Sequence, residues 1–343
     1  MKDKDFLNQV LYNDAARGDC MNDKIMRRLC FVLCMVLCIA GLLKFYNFSE
    51  EQLADGKQKP ILFGSTYMTL NNPFFDVINE EMRNVIEANG DVLITMDPQL
   101  SLDKQIDQIH YLMDQGCSVL IVNPVDSKGL IDVLAEAKQQ GIIIVAVDTN
   151  VYNGQDFVDY TVVSDNYHAG QLCAENMMAA LDQAQIMILR HDAAYSAIER
   201  IQGFKDAISQ YPQYQIVDEI ECEGQLEISM PLIAQAITEG VQFDVVMALN
   251  DPSALGAVAA LQEADKLSEV LVYGVDGTPE AKVLVKEGFM QATVAQYPKR
   301  MGKKAVESAY RLLNHESGIV EEKIPVTMIN GSNIDEFSLE SWQ

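Results

Sequence analysis

The chain reads LNNPFFDVINEEM at residues 70–82 and YGVDGTPEAK at residues 273–282. Each segment passes from an apolar run through polar turn residues into a helical pattern, which predicts the junction between a strand and a helix. In an open α/β sheet, ligands bind in the crevice beyond the carboxyl ends of the strands. Both segments are therefore candidate binding loops of an α/β protein.

The side chains of these two loops suit a ligand that carries hydroxyl groups. Asn72 can hydrogen-bond a hydroxyl, and Phe74 and Phe75 offer flat faces to a sugar ring. The carboxylate of Asp276 can accept two hydroxyl protons at once. A tight turn with two core phenylalanines explains either segment alone, so the prediction of a sugar site depends on their combination.

Ten short apolar runs recur from residue 61 onward and alternate with amphipathic stretches. This alternation predicts βαβ units and parallel sheets. Ten strands are many for one sheet, and the polar loop at residues 148–159 interrupts the pattern, so two sheets of about five strands are predicted. The runs lie at residues 61–65, 91–96, 118–122, 142–147, 160–164, 185–190, 214–220, 243–249, 270–275 and 290–296.

Composition and missing motifs exclude several classes of protein. The formal net charge is −25, and a body of this charge repels nucleic acid and anionic lipid. The seven cysteines form no CxxC pair and the four histidines no HExxH pattern, so no metal site is predicted. The patterns GxGxxG, GxxxxGK[ST] and GxSxG are also absent, so neither a cofactor site nor an enzyme is predicted.

Residues 29–43 (LCFVLCMVLCIAGLL) carry no charge and lie directly after a basic cluster that ends at Arg28. This order is typical of a segment that directs export of the residues on its C-terminal side. As a helix it would span roughly 22 Å, less than the ~30 Å hydrocarbon core, so a signal peptide cleaved before Gly41 and a membrane anchor both stay open. The length of the preceding segment favours an uncleaved anchor at residues 29–48. Residues 1–28 are then cytoplasmic, residues 49–60 form a tether, and the body lies on the extracytoplasmic side of the cell membrane.

Residues 60 to about 330 resemble the type I periplasmic sugar-binding proteins, nearest to their ribose-binding branch. The resemblance implies two Rossmann-like α/β lobes with parallel sheets, joined by a hinge of three crossings. It places the N-lobe at residues 61–163 and 297–325, and the C-lobe at residues 164–296 and 326–335. The motifs that carry it are TLNNPFF (69–75), VNPVDS (122–127), VAVDTN (145–150), SDNYHAG (164–170), SAIERIQGF (196–204), ALND (248–251), GVDGTPE (274–280) and TVAQYP (293–298).

The resemblance, carried over residue by residue, implies a sugar site without a cofactor or metal. Asp148 matches a carboxylate beneath the sugar ring, and Arg200 matches a guanidinium of the C-lobe, which donates hydrogen bonds in a fixed fork. The full set of matching positions is Asn72, Phe74, Phe75, Asp148, Arg200, Asn250, Asp276 and Gln296.

Three positions depart from the ribose-binding pattern. Met68 stands where that branch has a serine, and Thr149 where it has an arginine. The aromatic residue that closes over the sugar would fall near Gly224, where this chain has none, and Tyr67 and Tyr195 are candidate replacements. Met68, Thr149 and Tyr195 are thus additional candidates for sugar contact. A different pentose or a hexose is predicted in place of ribose.

The family implies binding of a monosaccharide without turnover, followed by docking of the closed form onto an ABC permease. The chain is therefore predicted to be the substrate-binding component of a sugar ABC transporter. The predicted anchor supports an alternative, a membrane-attached sugar receptor that signals to a sensor histidine kinase of a two-component system. LacI-type repressors share the fold, but they need a helix-turn-helix where this chain has its apolar segment.

Overall fold

The computed structural model describes Met35, Lys44, residues 59–316, Gly318 and residues 320–343. The predicted anchor and tether, and the segment before them, lie almost entirely outside this part of the chain. Within the described residues, no helix combines the length and apolar character needed to cross a membrane. The chain from Ile61 to Gln343 forms one compact unit.

The first sheet of this unit has six strands, all parallel, in the order β11-β5-β4-β3-β1-β2. Its central strands are β-branched on both faces, which is typical of a parallel sheet covered by helices on either side. The strands are β1 Leu62–Thr66, β2 Val92–Met96, β3 Val119–Val122, β4 Ile143–Val147, β5 Tyr160–Ser164 and β11 Glu321–Ile324.

The second sheet repeats this arrangement in the order β12-β10-β9-β8-β6-β7. Strand β12 runs antiparallel to β10, and the other pairs are parallel. The strands are β6 Ala184–Arg190, β7 Tyr214–Glu221, β8 Val245–Ala248, β9 Leu271–Asp276, β10 Ala292–Ala295 and β12 Thr327–Asn330.

Nine α-helices connect the strands of the described unit. Three of them begin where a strand-end side chain accepts a backbone N–H and a proline follows, which stabilises a helix start. These caps are Asn72, Asn250 and Thr278. The helices are α1 Pro73–Ala88, α2 Leu102–Asp114, α3 Ile131–Gln139, α4 Asn166–Ala180, α5 Tyr195–Ile208, α6 Leu226–Thr238, α7 Asp251–Glu263, α8 Pro279–Glu287 and α9 Pro298–Leu313.

The chain passes between the two sheets three times: after β5, after β10, and between β11 and β12. Helix α9 returns to the first sheet, where it packs on α1 and on strands β4 and β5. The predicted fold class, two α/β lobes with predominantly parallel sheets, is confirmed. We call the lobe built on the first sheet the N-lobe and the lobe built on the second sheet the C-lobe.

Candidate ligand-binding site

One cavity between the two lobes is lined by all eight residues predicted from the resemblance. Its empty volume is about 450 Å³, a value that includes space open to solvent. Met68 lines the same cavity. The strand-end residues converge because the carboxyl ends of both sheets face this space.

Asp148 directly follows β4 and is 4% exposed. Its backbone has a φ of 67°, in the left-handed region that residues other than glycine rarely adopt. Its Oδ2 accepts hydrogen bonds from Asn123 Nδ2 at 3.2 Å and Thr149 Oγ1 at 2.9 Å. Burial raises the pKa of Asp148, while the nearby Arg200 charge lowers it. The buried Oδ1 has no partner among the described residues, so it is available to a ligand.

Asp276 is the last residue of β9 and resembles Asp148: it too is a buried aspartate with a positive φ, here in the C-lobe. Its φ is 141°, and its Oδ1 accepts a hydrogen bond of 2.7 Å from Gln296 Nε2. Burial, together with the neighbouring Asp251 charge, holds the pKa of Asp276 well above its usual range. Its Oδ2 and the Oε1 of Gln296 are buried without a partner in the described part of the chain.

Arg200 supplies the guanidinium of the cavity from the first turns of α5. Its Nε donates to Asn166 Oδ1 at 2.8 Å, and its Nη1 donates to Leu249 O at 3.0 Å. The same Nη1 lies 3.8 Å from Asp276 Oδ1. These bonds hold the guanidinium plane in place beside the carboxylate.

The N-lobe contributes two aromatic rings to the cavity. Phe74 and Phe75 lie at the start of α1, with ring centroids 5.6 Å apart and planes at 82°, so the two rings pack against each other edge to face. Trp342 packs against Phe74 at 5.6 Å. The last residues of the chain therefore help to position a ring of the cavity. The sequence did not predict this contact, because Phe74 and Trp342 are far apart in the chain.

Two further candidates, Thr149 and Tyr195, lie outside the cavity lining. The Thr149 hydroxyl bonds to Asp148 and to Ser196 Oγ at 2.7 Å, so it positions a cavity residue and links the lobes. Tyr195 is 37% exposed, and its backbone N–H donates to Ser127 Oγ. Tyr67 does not line the cavity either: it is buried in the core, where its ring packs against Phe75.

Several cavity residues were not predicted from the sequence, most notably His191, Glu223 and Gln225. His191 is the first residue after β6, so a search of all strand-end positions could have found it. Glu223 and Gln225 follow β7 in the same way.

Two α/β lobes joined by three crossings around a polar cavity define the class of two-lobed solute-binding proteins. Residues 63–317 match the model of the periplasmic binding protein domain, and the chain belongs to this family. It is 30% identical over 262 residues to the ribose import binding protein RbsB of Escherichia coli, covering 76% of this chain and 86% of that protein.

Solved structures agree with this assignment. The Caulobacter myo-inositol binding protein, bound to myo-inositol, superposes with a TM-score of 0.77 at 27% identity, covering 82% of this chain and 97% of that one. The fructose-binding periplasmic domain of a hybrid two-component system reaches a TM-score of 0.75 at 23% identity, covering 80% of this chain and 92% of that one. This second likeness concerns the fold alone.

Proposed function

We propose that this protein binds a neutral monosaccharide or a similar cyclic polyol in the cavity between its lobes. The observation that carries the proposal is a set of buried acceptor atoms without partners among the described residues: Asp148 Oδ1, Asp276 Oδ2 and Gln296 Oε1. Buried polar atoms are nearly always hydrogen-bonded, so these three favour a ligand that brings several donors. The hydroxyl groups of one sugar ring can supply the three hydrogen-bond donors that these atoms need.

The charges around the cavity support a neutral ligand. Three carboxyl groups, those of Asp148, Asp276 and Glu223, line the cavity together with a single guanidinium, that of Arg200. An anionic ligand such as a sugar phosphate would add charge to buried carboxylates, which is unfavourable in a desolvated site. Phe74 and Phe75 supply the apolar surface that suits the carbon-bound faces of a sugar.

The polar contacts in this proposal are Asn72, Asp148, Arg200, Asn250, Asp276 and Gln296, with Phe74 and Phe75 as ring contacts. The protein acts as the extracytoplasmic substrate-binding component of a sugar ABC transporter and performs no catalysis. The import role of the ribose-binding relative supports this assignment. A receptor that signals to a histidine kinase is the second candidate, favoured by the predicted anchor at residues 29–48.

A ligand screen tests the binding proposal. Thermal unfolding of the purified chain is measured with ribose, other pentoses, hexoses, myo-inositol and a sugar phosphate, because a ligand at a hundred times its Kd adds roughly 2.7 kcal/mol of stability. We expect stabilisation by at least one of these compounds, with ribose not the tightest. Stabilisation by a sugar phosphate alone would overturn the proposal.

The predicted membrane attachment is tested separately, by fractionation of cells that express the full chain. We expect the protein in the membrane fraction, with its sugar-binding body accessible to protease from outside. Free protein that begins at Gly41 by mass would instead establish a cleaved signal peptide.

A further inference from the structure

His191 occupies an unusual position at the C-lobe end of the cavity. It follows β6 directly, is 9% exposed and lines the cavity. Its Nδ1 lies 3.0 Å from Glu221 Oε1. Its Nε2 is buried and has no hydrogen-bond partner among the described residues.

Glu221 holds the imidazole ring in one orientation. Its carboxylate also accepts hydrogen bonds from the backbone N–H groups of Asp192 at 2.9 Å and Glu223 at 3.2 Å. Because an ionised carboxylate only accepts, the proton of a neutral His191 lies on Nδ1. The Nε2 atom is then an unpaired acceptor on a side chain that lines the cavity.

No other ring of the C-lobe lines the cavity within the described residues. A ring at Gly224 itself would be strained, since the φ there is 68° and an added Cβ would lie 3.0 Å from Asn250 Nδ2. The imidazole of His191 is therefore the cyclic side chain at this end of the site. It differs from a phenyl ring because it can distinguish a hydroxyl from a hydrogen atom.

We propose that His191 determines specificity by hydrogen-bonding one ligand hydroxyl through Nε2, at the cavity end formed by β6 and β7. A ligand that carries this hydroxyl is preferred over its deoxy counterpart, because the deoxy compound leaves Nε2 buried and unpaired. Glu221 is the positioning residue for the ring. The inference rests on the proposed function, since it assigns one contact of the same site.

The test combines protein variants with deoxy ligands, using the full chain in detergent. The best ligand from D-ribose, D-allose, D-glucose, D-galactose and myo-inositol is titrated by calorimetry against each of its monodeoxy derivatives. His191→Leu removes the acceptor, and His191→Gln retains one. His110→Leu is the matched control, because His110 also pairs with a glutamate, Glu136 at 3.3 Å, but lies exposed on α2.

We expect His191→Leu to weaken binding of the parent sugar roughly tenfold or more, and to leave the affinity for one deoxy derivative unchanged. His191→Gln should restore part of the loss, and His110→Leu should have no effect. NMR of isotope-labelled histidine should show Nε2 of His191 responding to the hydroxylated ligand and not to that derivative.

Equal losses for the parent sugar and all deoxy derivatives would overturn the inference, because they indicate a general disturbance of the site. Unchanged affinity in His191→Leu would overturn it as well, while the proposed function would stand. If the parent chain binds none of the five compounds, the proposed function fails and this inference fails with it.

Discussion

At the scale of single residues, the cavity depends on two aspartates held in rarely populated backbone conformations. Asp148 and Asp276 both have positive φ values, and both are almost fully buried. Such conformations persist only where the surrounding structure enforces them, and they concentrate at binding sites. Aspartate and asparagine tolerate this region better than most residues, which permits a conservative test.

Asp276→Asn should weaken sugar binding by about 2–4 kcal/mol, because it replaces one of the two carboxyl oxygens with an amide nitrogen, which donates instead of accepting, while keeping the side-chain shape. Calorimetry with the best ligand measures the loss. Glu321→Gln makes the same chemical change on an exposed residue of β11 and should leave affinity unaltered. Similar affinities for both variants would show that Asp276 does not contact the ligand.

Asp251 predicts a pH dependence of stability. It is fully buried, it accepts hydrogen bonds from Thr278 N at 2.8 Å and Thr293 Oγ1 at 2.7 Å, and burial raises its pKa to about 6. Between its ordinary pKa of about 4 and this value, the folded chain holds a proton that the unfolded chain has released. This contribution to stability is present at low pH and is lost as the pH rises through about 6.

Asp251→Asn removes that titration and keeps the size of the side chain. The free energy of unfolding of the parent should therefore fall relative to that of Asp251→Asn as the pH rises from about 4 to about 6.5. Urea denaturation across this range gives the difference at each pH. A constant difference would mean that burial does not raise the pKa of Asp251.

Strand-end positions and residue chemistry alone pointed to Asn72, Phe74, Phe75 and Asp276. The other four proposed contacts, Asp148, Arg200, Asn250 and Gln296, came from the resemblance to the sugar-binding family. His191 was missed although it follows β6, because the sequence does not show that Glu221 of a neighbouring strand orients its ring. Nor could the sequence exclude Thr149 and Tyr195, because the direction of a strand-end side chain depends on backbone angles that a sequence does not specify.

At the scale of elements, the crossing of α4 and α5 positions the guanidinium. A Cβ added at Gly203 would overlap the carbonyl oxygen of Tyr167, and one added at Gly170 would overlap that of Arg200. The two backbones therefore touch without intervening side chains. This close approach allows Asn166, at the start of α4, to accept the hydrogen bond from Arg200 Nε.

Gly203→Ala should destabilise the protein by about 2 kcal/mol or more, since an extra methyl group forces the two helices apart. It should also weaken sugar binding, because Arg200 moves with α5. Gly331→Ala is the matched control, as an added Cβ there meets nothing within 4 Å. Chemical denaturation and calorimetry on both variants give the two effects, and unaltered stability in Gly203→Ala would contradict the packing argument.

The ten predicted apolar runs correspond to strands β1 to β10, and strands β11 and β12 were missed. Each missed strand is four residues long and lies at the edge of its sheet. The β11 sequence EEKI has three charged residues, which suit an edge but give no apolar pattern to recognise. The opposite edge strands, β2 and β7, were predicted because their sequences contain apolar runs, so the short length and polar character of β11 explain why it was missed.

At the scale of the whole molecule, the C-terminal tail contacts both lobes. Lys282 of α8 is fully buried, and its Nζ donates to the carbonyl oxygens of Ser338 and Ser341. These bonds fasten the tail to the C-lobe, while Trp342 packs against Phe74 of the N-lobe. Relative movement of the lobes must therefore change the surroundings of Trp342.

Direct bonds also join the two lobes around the cavity. Ser127 N donates to Ala193 O at 2.9 Å, and the hydroxyls of Thr149 and Ser196 lie 2.7 Å apart. These contacts belong to a closed arrangement. A ligand that contacts residues of both lobes binds the closed arrangement more tightly than an open one. The difference between these two affinities sets how far the ligand shifts the equilibrium between the open and closed forms.

Saturating sugar should therefore reduce the radius of gyration measured by small-angle scattering and alter the fluorescence of Trp342, the single tryptophan of the chain. The emission of Trp342 reports closure because this residue packs against Phe74, and Phe74 lines the cavity. Asp276→Asn should show neither change at a sugar concentration that saturates only the parent. Scattering and emission that stay constant when calorimetry shows the parent fully occupied would mean that both lobes are already closed without sugar, and that binding does not depend on hinge motion.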